Sequence, residues 1–271
     1  MKCLVINLDR SPDRLAHMRG EFDRIGVAFE RVVAVDGYSH PELEQQPQHP
    51  IYGRRQLSSS EIACLHSHRA CWSILVQNDA RYGAIFEDDV VFSANAGRLL
   101  ADSAWIPAGA DIVKLETFFR KTMIHRMRTS AGHGFSLFRL CRFHPGTGGY
   151  IISRQTARDL LEATEKINVT ADDLVFNPAF SSLPGKTIYQ LVPALCAQGQ
   201  FLSSMAAGLP SLLDSERETK WAASGLAEKR RRATAERFRT EIGRIVEWVV
   251  DFCKLRRRTI IPLDSPGPRD Q

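Results

Sequence analysis

The first thirty-seven residues limit the possible folds more than any other stretch. "CLVIN" (3–7) is a short apolar run, "SPDRLAHMRGEFDRIG" (11–26) has helical periodicity, and "VAFERVVAV" (27–35) is a second apolar run closed by Asp36–Gly37. Ser11 suits a helix N-cap, Pro12 the first helical position, Asp13 the first turn and Gly26 the stop. Leu15, Met18, Phe22 and Ile25 recur at helical spacing. A strand, a helix and a strand in this order form a unit whose two strands lie parallel. The expectation is an α/β fold with a mainly parallel central sheet.

Further along, residues 38–57 carry Pro41, Pro47 and Pro50 and read as a long loop, a candidate flap. Ser58 to Asn78 reads as a helix, with Ser58 and Glu61 at capping-box spacing. Strands are expected at 82–86, 111–117, 122–128, 135–143 and in "TIYQLVP", and a helix after Ser153. From Glu228 onward the pattern is helical, with Phe238, Ile242, Ile245, Val249 and Phe252 on one stripe. The division expected is a catalytic domain over 1–205 and a helical basic extension over 206–271.

Charge separates the same two parts. The chain carries a net +5, yet residues 228–258 hold eleven Lys/Arg against five Asp/Glu, which leaves the body near neutral. Basic residues outside this tail are not interleaved with aromatics, so a nucleic-acid groove is not expected. The six cysteines form no C-x-x-C pair and no His/Cys cluster with zinc spacing, and they read as reduced thiols. No signal peptide is visible. The uncharged stretch 187–213 is broken by Pro193, Gly199 and several amides, which makes it a poor membrane span. A cytoplasmic protein is expected.

The chemistry concentrates in "AIFEDDVVFS" (84–93), where Glu87, Asp88 and Asp89 stand together at the end of the third strand. Ligands of open α/β sheets bind outside the carboxyl ends of strands. Carboxylates there can hold a hard divalent cation, and E-x-D spacing can send alternate side chains to one side. An acidic turn would look the same. In "SSSEIACLHSH", Glu61 and His68 lie about 20° apart on a helical wheel, within the apolar face, so both need buried partners. A helix cap at Glu61 and a satisfied core histidine at His68 are the commoner explanation of such a pair. "PGTGGYIIS" (145–153) is neither a P-loop nor a G-x-G-x-x-G, and an ordinary turn explains it. In "VTADDLVFNP", Asp172 or Asp173 could take a proton or cap the short helix that follows.

Taken in order, "VINLDRSPDR", "VVAVDG", "LSSSEIACLHSHRACW", "AIFEDDVVF", "GTGGYIIS" and "ADDLVF" resemble glycosyltransferase family 25 across roughly residues 3–198. The resemblance implies a GT-A-like nucleotide-sugar fold and inverting transfer, typically of galactose from UDP-galactose, to a lipooligosaccharide or other glycan acceptor. It implies Mn²⁺ or Mg²⁺ at Asp89 and Glu87. It implies donor contacts from Asn7, Arg10, Arg14, Ser67, His68, Glu87, Asp88, Gly148 and Gly149, with Tyr150 in the same strand motif. Asp172 is the first candidate for the base that deprotonates the acceptor hydroxyl, and Glu61 the second. Ala63 stands where the family's helix motif has glycine. A cationic amphipathic tail suits a membrane glycolipid acceptor, and residues 228–258 could lie on an anionic membrane surface, making the protein peripheral at the inner face of the cytoplasmic membrane. Two other readings are a catalytically silent membrane-surface scaffold and a nucleotidyltransferase.

Overall fold

Every residue of the first strand beyond Lys2 is buried, and the fold is organised around that strand. The structure is a computed structural model that describes residues 1–49, 56–166, 168–177, 185–202 and 250–265. In chain order the elements are β1 (Lys2–Asn7), α1 (Pro12–Ile25), β2 (Glu30–Val33), α2 (Ser59–Val76), β3 (Tyr82–Glu87), β4 (Val90–Phe92), α3 (Ala96–Leu100) and β5 (Ile112–Lys114). Then follow β6 (Lys121–Gly132), β7 (Phe135–Leu140), β8 (Gly149–Ser153), α4 (Arg154–Ala163), α5 (Ala171–Phe176), β9 (Ile188–Val192), β10 (Cys196–Gln198) and β11 (Arg256–Ile260).

Nine strands form one sheet in the order β11-β6-β7-β9-β5-β8-β3-β1-β2. β1 lies parallel to both β2 and β3, as the opening unit requires, and β5 is parallel to β9. The other neighbours are antiparallel, because β8 inserts between β3 and β5 in the opposite direction and β6–β7 is a hairpin. The sheet is therefore mixed, and its parallel pairs are those around β1 and the β5–β9 pair. β4 and β10 form a separate antiparallel pair.

Alternation along the strands explains why they read as continuous apolar runs. Leu4, Ile6 and Ile85 face one core with Leu65, Trp72 and Leu75 of α2. Cys3, Val5, Ala84 and Phe86 face the other with Met18 and Phe22 of α1. On that side Phe22, Phe86 and Phe92 pack edge to face at 4.9–5.8 Å between ring centres. α1 ends at Gly26, left-handed at φ 67°, while Ser11 caps its start without a side-chain hydrogen bond.

The expected 38–57 loop contains two short 3-10 turns, Gly37–Ser39 and Pro41–Gln45, and residues 50–55 lie outside the described residues. The helical reading of 228–258 needs correction at its end. Residues 250–253 are helical, but Arg256–Ile260 is an edge strand paired antiparallel to β6. Helical periodicity does not distinguish three consecutive arginines on a helix from three on an exposed edge, where charge also guards against further pairing. Phe238, Ile242, Ile245 and Val249 lie outside the described residues.

Candidate active site

The carboxyl ends of β1 and β3 lie side by side, with Ile6 opposite Glu87, so Asn7 and the acidic turn share one rim of the sheet. Asp88 is clamped there. Asn7 Nδ2 donates to its Oδ2 at 2.7 Å and Arg14 Nη1 to its Oδ1 at 2.7 Å. Asn7 is itself oriented, donating to the Ser11 carbonyl and accepting from Arg31 Nε. Two residues expected near the donor, Asn7 and Arg14, thus hold the turn that carries the other acids. With both oxygens of Asp88 engaged, its first role is architectural.

Asp89 and Glu87 differ from it. Asp89 is buried, Arg14 Nη1 stands 3.8 Å away, and its Oδ1 has no hydrogen-bond partner. Burial first, and then the charge of Glu87, push its carboxyl well above the usual range. Burial also pushes Glu87 up, but the His68 ring, 3.5 Å from Oε1, and a 2.6 Å hydrogen bond from Thr147 outweigh it and hold the carboxyl low. Gln198 donates to the other oxygen of Glu87. The orphaned buried oxygen of Asp89 beside the ionised Glu87 carboxylate offers a pair of oxygen donors, and it fits a hard divalent cation.

Helix α2 supplies the opposite wall. His68 is fully buried, and its Nδ1 lies 3.0 Å from the Tyr150 hydroxyl, which also accepts from Trp72 Nε1 at 2.9 Å. Indole can only donate, so the Tyr150 hydroxyl is left able either to donate to Nδ1 or to accept its proton. Ser67 bonds within the protein, donating to the Ala63 carbonyl and accepting from Val35 N–H. Glu61 forms the expected capping box with Ser58, and it also lines a cleft shared with Thr147 and Asp172.

Sequence reasoning missed Lys114 and Glu116. Both are fully buried, and Nζ lies 3.3 Å from Oε2, which also accepts from Gly148 N–H at 3.1 Å. The signal was available: in a strand, residues two apart share a face, and "DIVKLET" alternates a lysine and a glutamate within an apolar run. Burial raises Glu116 to about 7, with Glu87's charge adding and Lys114 opposing. Burial lowers Lys114. A carboxyl raised on folding binds its proton more tightly in the native state, so stability falls as pH rises from its ordinary 4.5 through about 7. Glu116→Gln is expected to flatten that fall. Thermal unfolding at pH 5 and pH 8 tests this, and equal pH dependence in both proteins would contradict it.

The glycine stretch packs against this pair. A Cβ on Gly148 would stand 2.6 Å from Glu116 Oε1, and one on Gly149 2.5 Å from Cys196 Sγ. These glycines admit protein neighbours.

Two clefts open on this rim and meet at Glu87 and Cys64. The first, about 120 Å³, is lined by Asn7, Arg10, Arg14, Ser67, His68 and the three acids. At its mouth Arg10 pairs with Asp36 at 2.6 Å and stacks over the exposed Tyr38 ring at 5.1 Å. The second, about 220 Å³, is lined by Glu61, Thr147, Asp172, Gln198 and Phe118. Thr170, not Asp172, caps α5, and it exchanges hydrogen bonds with Asp173. Asp172 instead accepts from Gly146 N–H at 3.5 Å on the cleft wall. The structure thus gathers the acids, Arg10, Arg14, His68, Glu61 and Asp172 around one bipartite cleft, with Gly148 and Gly149 packed beneath it.

The sequence signature of Glycosyltransferase family 25 (LPS biosynthesis protein) matches residues 1–175. The chain is 32% identical over 229 residues to the lacto-N-neotetraose biosynthesis glycosyltransferase LgtE of Neisseria gonorrhoeae, spanning 79% of this chain and 81% of that protein. It is 34% identical over 207 residues to LgtB, of the same description, from Neisseria meningitidis serogroup B, spanning 72% and 74%. It is 31% identical over 182 residues to the lipooligosaccharide biosynthesis protein lex-1 of Haemophilus influenzae, spanning 64% and 60%. With a signature that runs from β1 through the acidic turn to the Asp172 helix, the chain belongs to glycosyltransferase family 25 and is a glycosyltransferase.

Proposed function

We propose that this glycosyltransferase transfers galactose from UDP-galactose, with inversion, to a lipooligosaccharide-type glycan, and that it needs a divalent cation at Glu87 and Asp89. The observation that carries the metal is the unpartnered, buried Asp89 Oδ1 beside an ionised Glu87. Bound Mn²⁺ or Mg²⁺ would offset charge developing on the departing diphosphate. Arg10 and Tyr38 offer a cationic and aromatic mouth suited to the nucleotide end. Asp172, on the wall of the second cleft, is the first choice to accept the acceptor hydroxyl's proton, and Glu61 the second. A silent scaffold would have no use for a buried carboxylate in this state.

The test is UDP release from UDP-galactose and competing UDP-sugars, with and without Mn²⁺, with product anomers read by NMR. Pyrophosphate release would instead indicate a nucleotidyltransferase. Asp172→Asn is expected to lower kcat by about 10²-fold or more with donor binding retained. If that variant keeps full activity and Glu61→Gln does not, the base is Glu61.

Among the described residues no helix is long and apolar enough to cross a membrane. The proposed membrane contact gains a surface from β6 and β11. A cavity of about 660 Å³ lies there, lined by Lys121, Arg126, Arg142 and Arg256–Arg258 together with Asp251. Exposed Met127, Phe143, Phe252, Leu255 and Ile260 belong to the same elements and their flanks. Cations beside exposed apolar groups suit an anionic lipid interface. Co-sedimentation with phosphatidylglycerol vesicles, weaker with phosphatidylcholine, in added salt and in Arg257→Glu/Arg258→Glu, is the expected result. Equal binding to both vesicle types would remove the proposal.

A further inference from the structure

Cys64, His68 and Glu87 meet where the two clefts join. Cys64 and His68 stand one turn apart on α2 and so share a face, while Glu87 arrives from the end of β3. The thiol sulfur, a ring nitrogen and a carboxylate oxygen all lie within 4.8 Å of one another, the one such group among the described residues. His68 supplies a second observation. Its Nε2 is fully buried, makes no hydrogen bond, and has Glu87 Oε1 as its 3.5 Å neighbour. Behind the ring, Tyr150 stands 3.0 Å from Nδ1. A histidine that ligates through one nitrogen is commonly oriented by an oxygen at the other, and the Tyr150 oxygen can accept the Nδ1 proton in that tautomer.

Sulfur, imidazole nitrogen and carboxylate oxygen together suit a borderline ion such as Zn²⁺. The hard ions expected at Glu87 and Asp89 prefer oxygen alone. We infer that Cys64, His68 and Glu87 form a separate Zn²⁺ site that blocks transfer, because an ion held there draws on the same Glu87. Three protein ligands are one fewer than the four that Zn²⁺ usually takes. Binding takes the thiolate, so the Cys64 thiol proton leaves to solvent. The inhibitory effect rests on the proposed metal-dependent transfer, but the binding does not.

The probes are Co²⁺ and Zn²⁺ added to the full chain. Co²⁺ is expected to give a near-ultraviolet thiolate charge-transfer band that Zn²⁺ erases. The band should survive Cys253→Ser, disappear in Cys64→Ser, and need at least about tenfold more Co²⁺ in His68→Gln. Should Cys64→Ser fail to fold, the wild-type chain serves: equimolar Zn²⁺, and not Mg²⁺, should protect Cys64 from iodoacetamide by mass spectrometry. In a Mn²⁺-supported assay, Zn²⁺ should lower UDP release about tenfold, with the ratio of inhibited to uninhibited rate returning toward one in Cys64→Ser. No thiolate band and no protection would overturn the site, even if transfer is Mn²⁺-dependent. Band and protection without any transfer would keep the site and remove the proposed reaction. Binding without inhibition would overturn the blocking role.

Discussion

Asp89→Asn is expected to lower kcat for sugar transfer by about 10²–10³-fold at saturating donor and acceptor, the range for losing one dominant group that stabilises transition-state charge. The substitution keeps the shape of the side chain and removes its charge. The same variant is expected to unfold at the wild-type temperature or above at pH 8. In the wild type, burial and Glu87 push the Asp89 carboxyl up. Ionising it in the native state therefore costs stability as pH rises, and the amide carries no such cost. Lower activity with undiminished stability marks a group retained for function. UDP release at saturating Mn²⁺ and thermal unfolding, measured on the same preparation, check both halves. A kcat within about threefold of wild type would remove Asp89 from the proposed metal site.

Asp88→Ala should behave in the opposite sense. It deletes the 2.7 Å partner of Arg14, a buried guanidinium, together with one of the two acceptors of Asn7 Nδ2. Breaking a buried pair from one side costs about 3–5 kcal/mol, and the 3.8 Å contact of Arg14 with Asp89 places the expectation near the lower end. In a chain of this size that is a fall in Tm of roughly 6–12 °C. The double variant Asp88→Leu/Arg14→Met should recover part of the loss, because the guanidinium is then no longer left buried beside a missing Asp88. A double variant less stable than either single one would show that the clamp is more than an ion pair. Asp88 and Asp89 are neighbours in sequence, yet one holds the turn together and the other is held by it.

The elements were legible because each follows from short-range rules. The β1–α1–β2 opening, the Ser58–Glu61 cap of α2 and the acidic turn at the end of β3 all stand where periodicity and capping placed them. The resemblance to a glycosyltransferase family rested on the same local strings, and it agrees with the family match over residues 1–175. The strand Arg256–Ile260 was not legible, because its partner β6 lies more than a hundred residues away and three arginines on an edge carry no period of their own.

Local sterics, capping and apolar spacing depend on neighbours within a few residues, so the string of residues was enough to establish that this chain opens as a βαβ unit and brings Glu87, Asp88 and Asp89 to a strand end. Pairing is different in kind. That β8 would run against β3 and set Gly148 on Glu116, that His68 would face Glu87 beside Cys64, and that Asp88 rather than Asp89 would be clamped by Arg14 each depend on distant residues meeting. Those meetings follow from how the whole sheet buries both of its faces at once, a condition that no short segment contains.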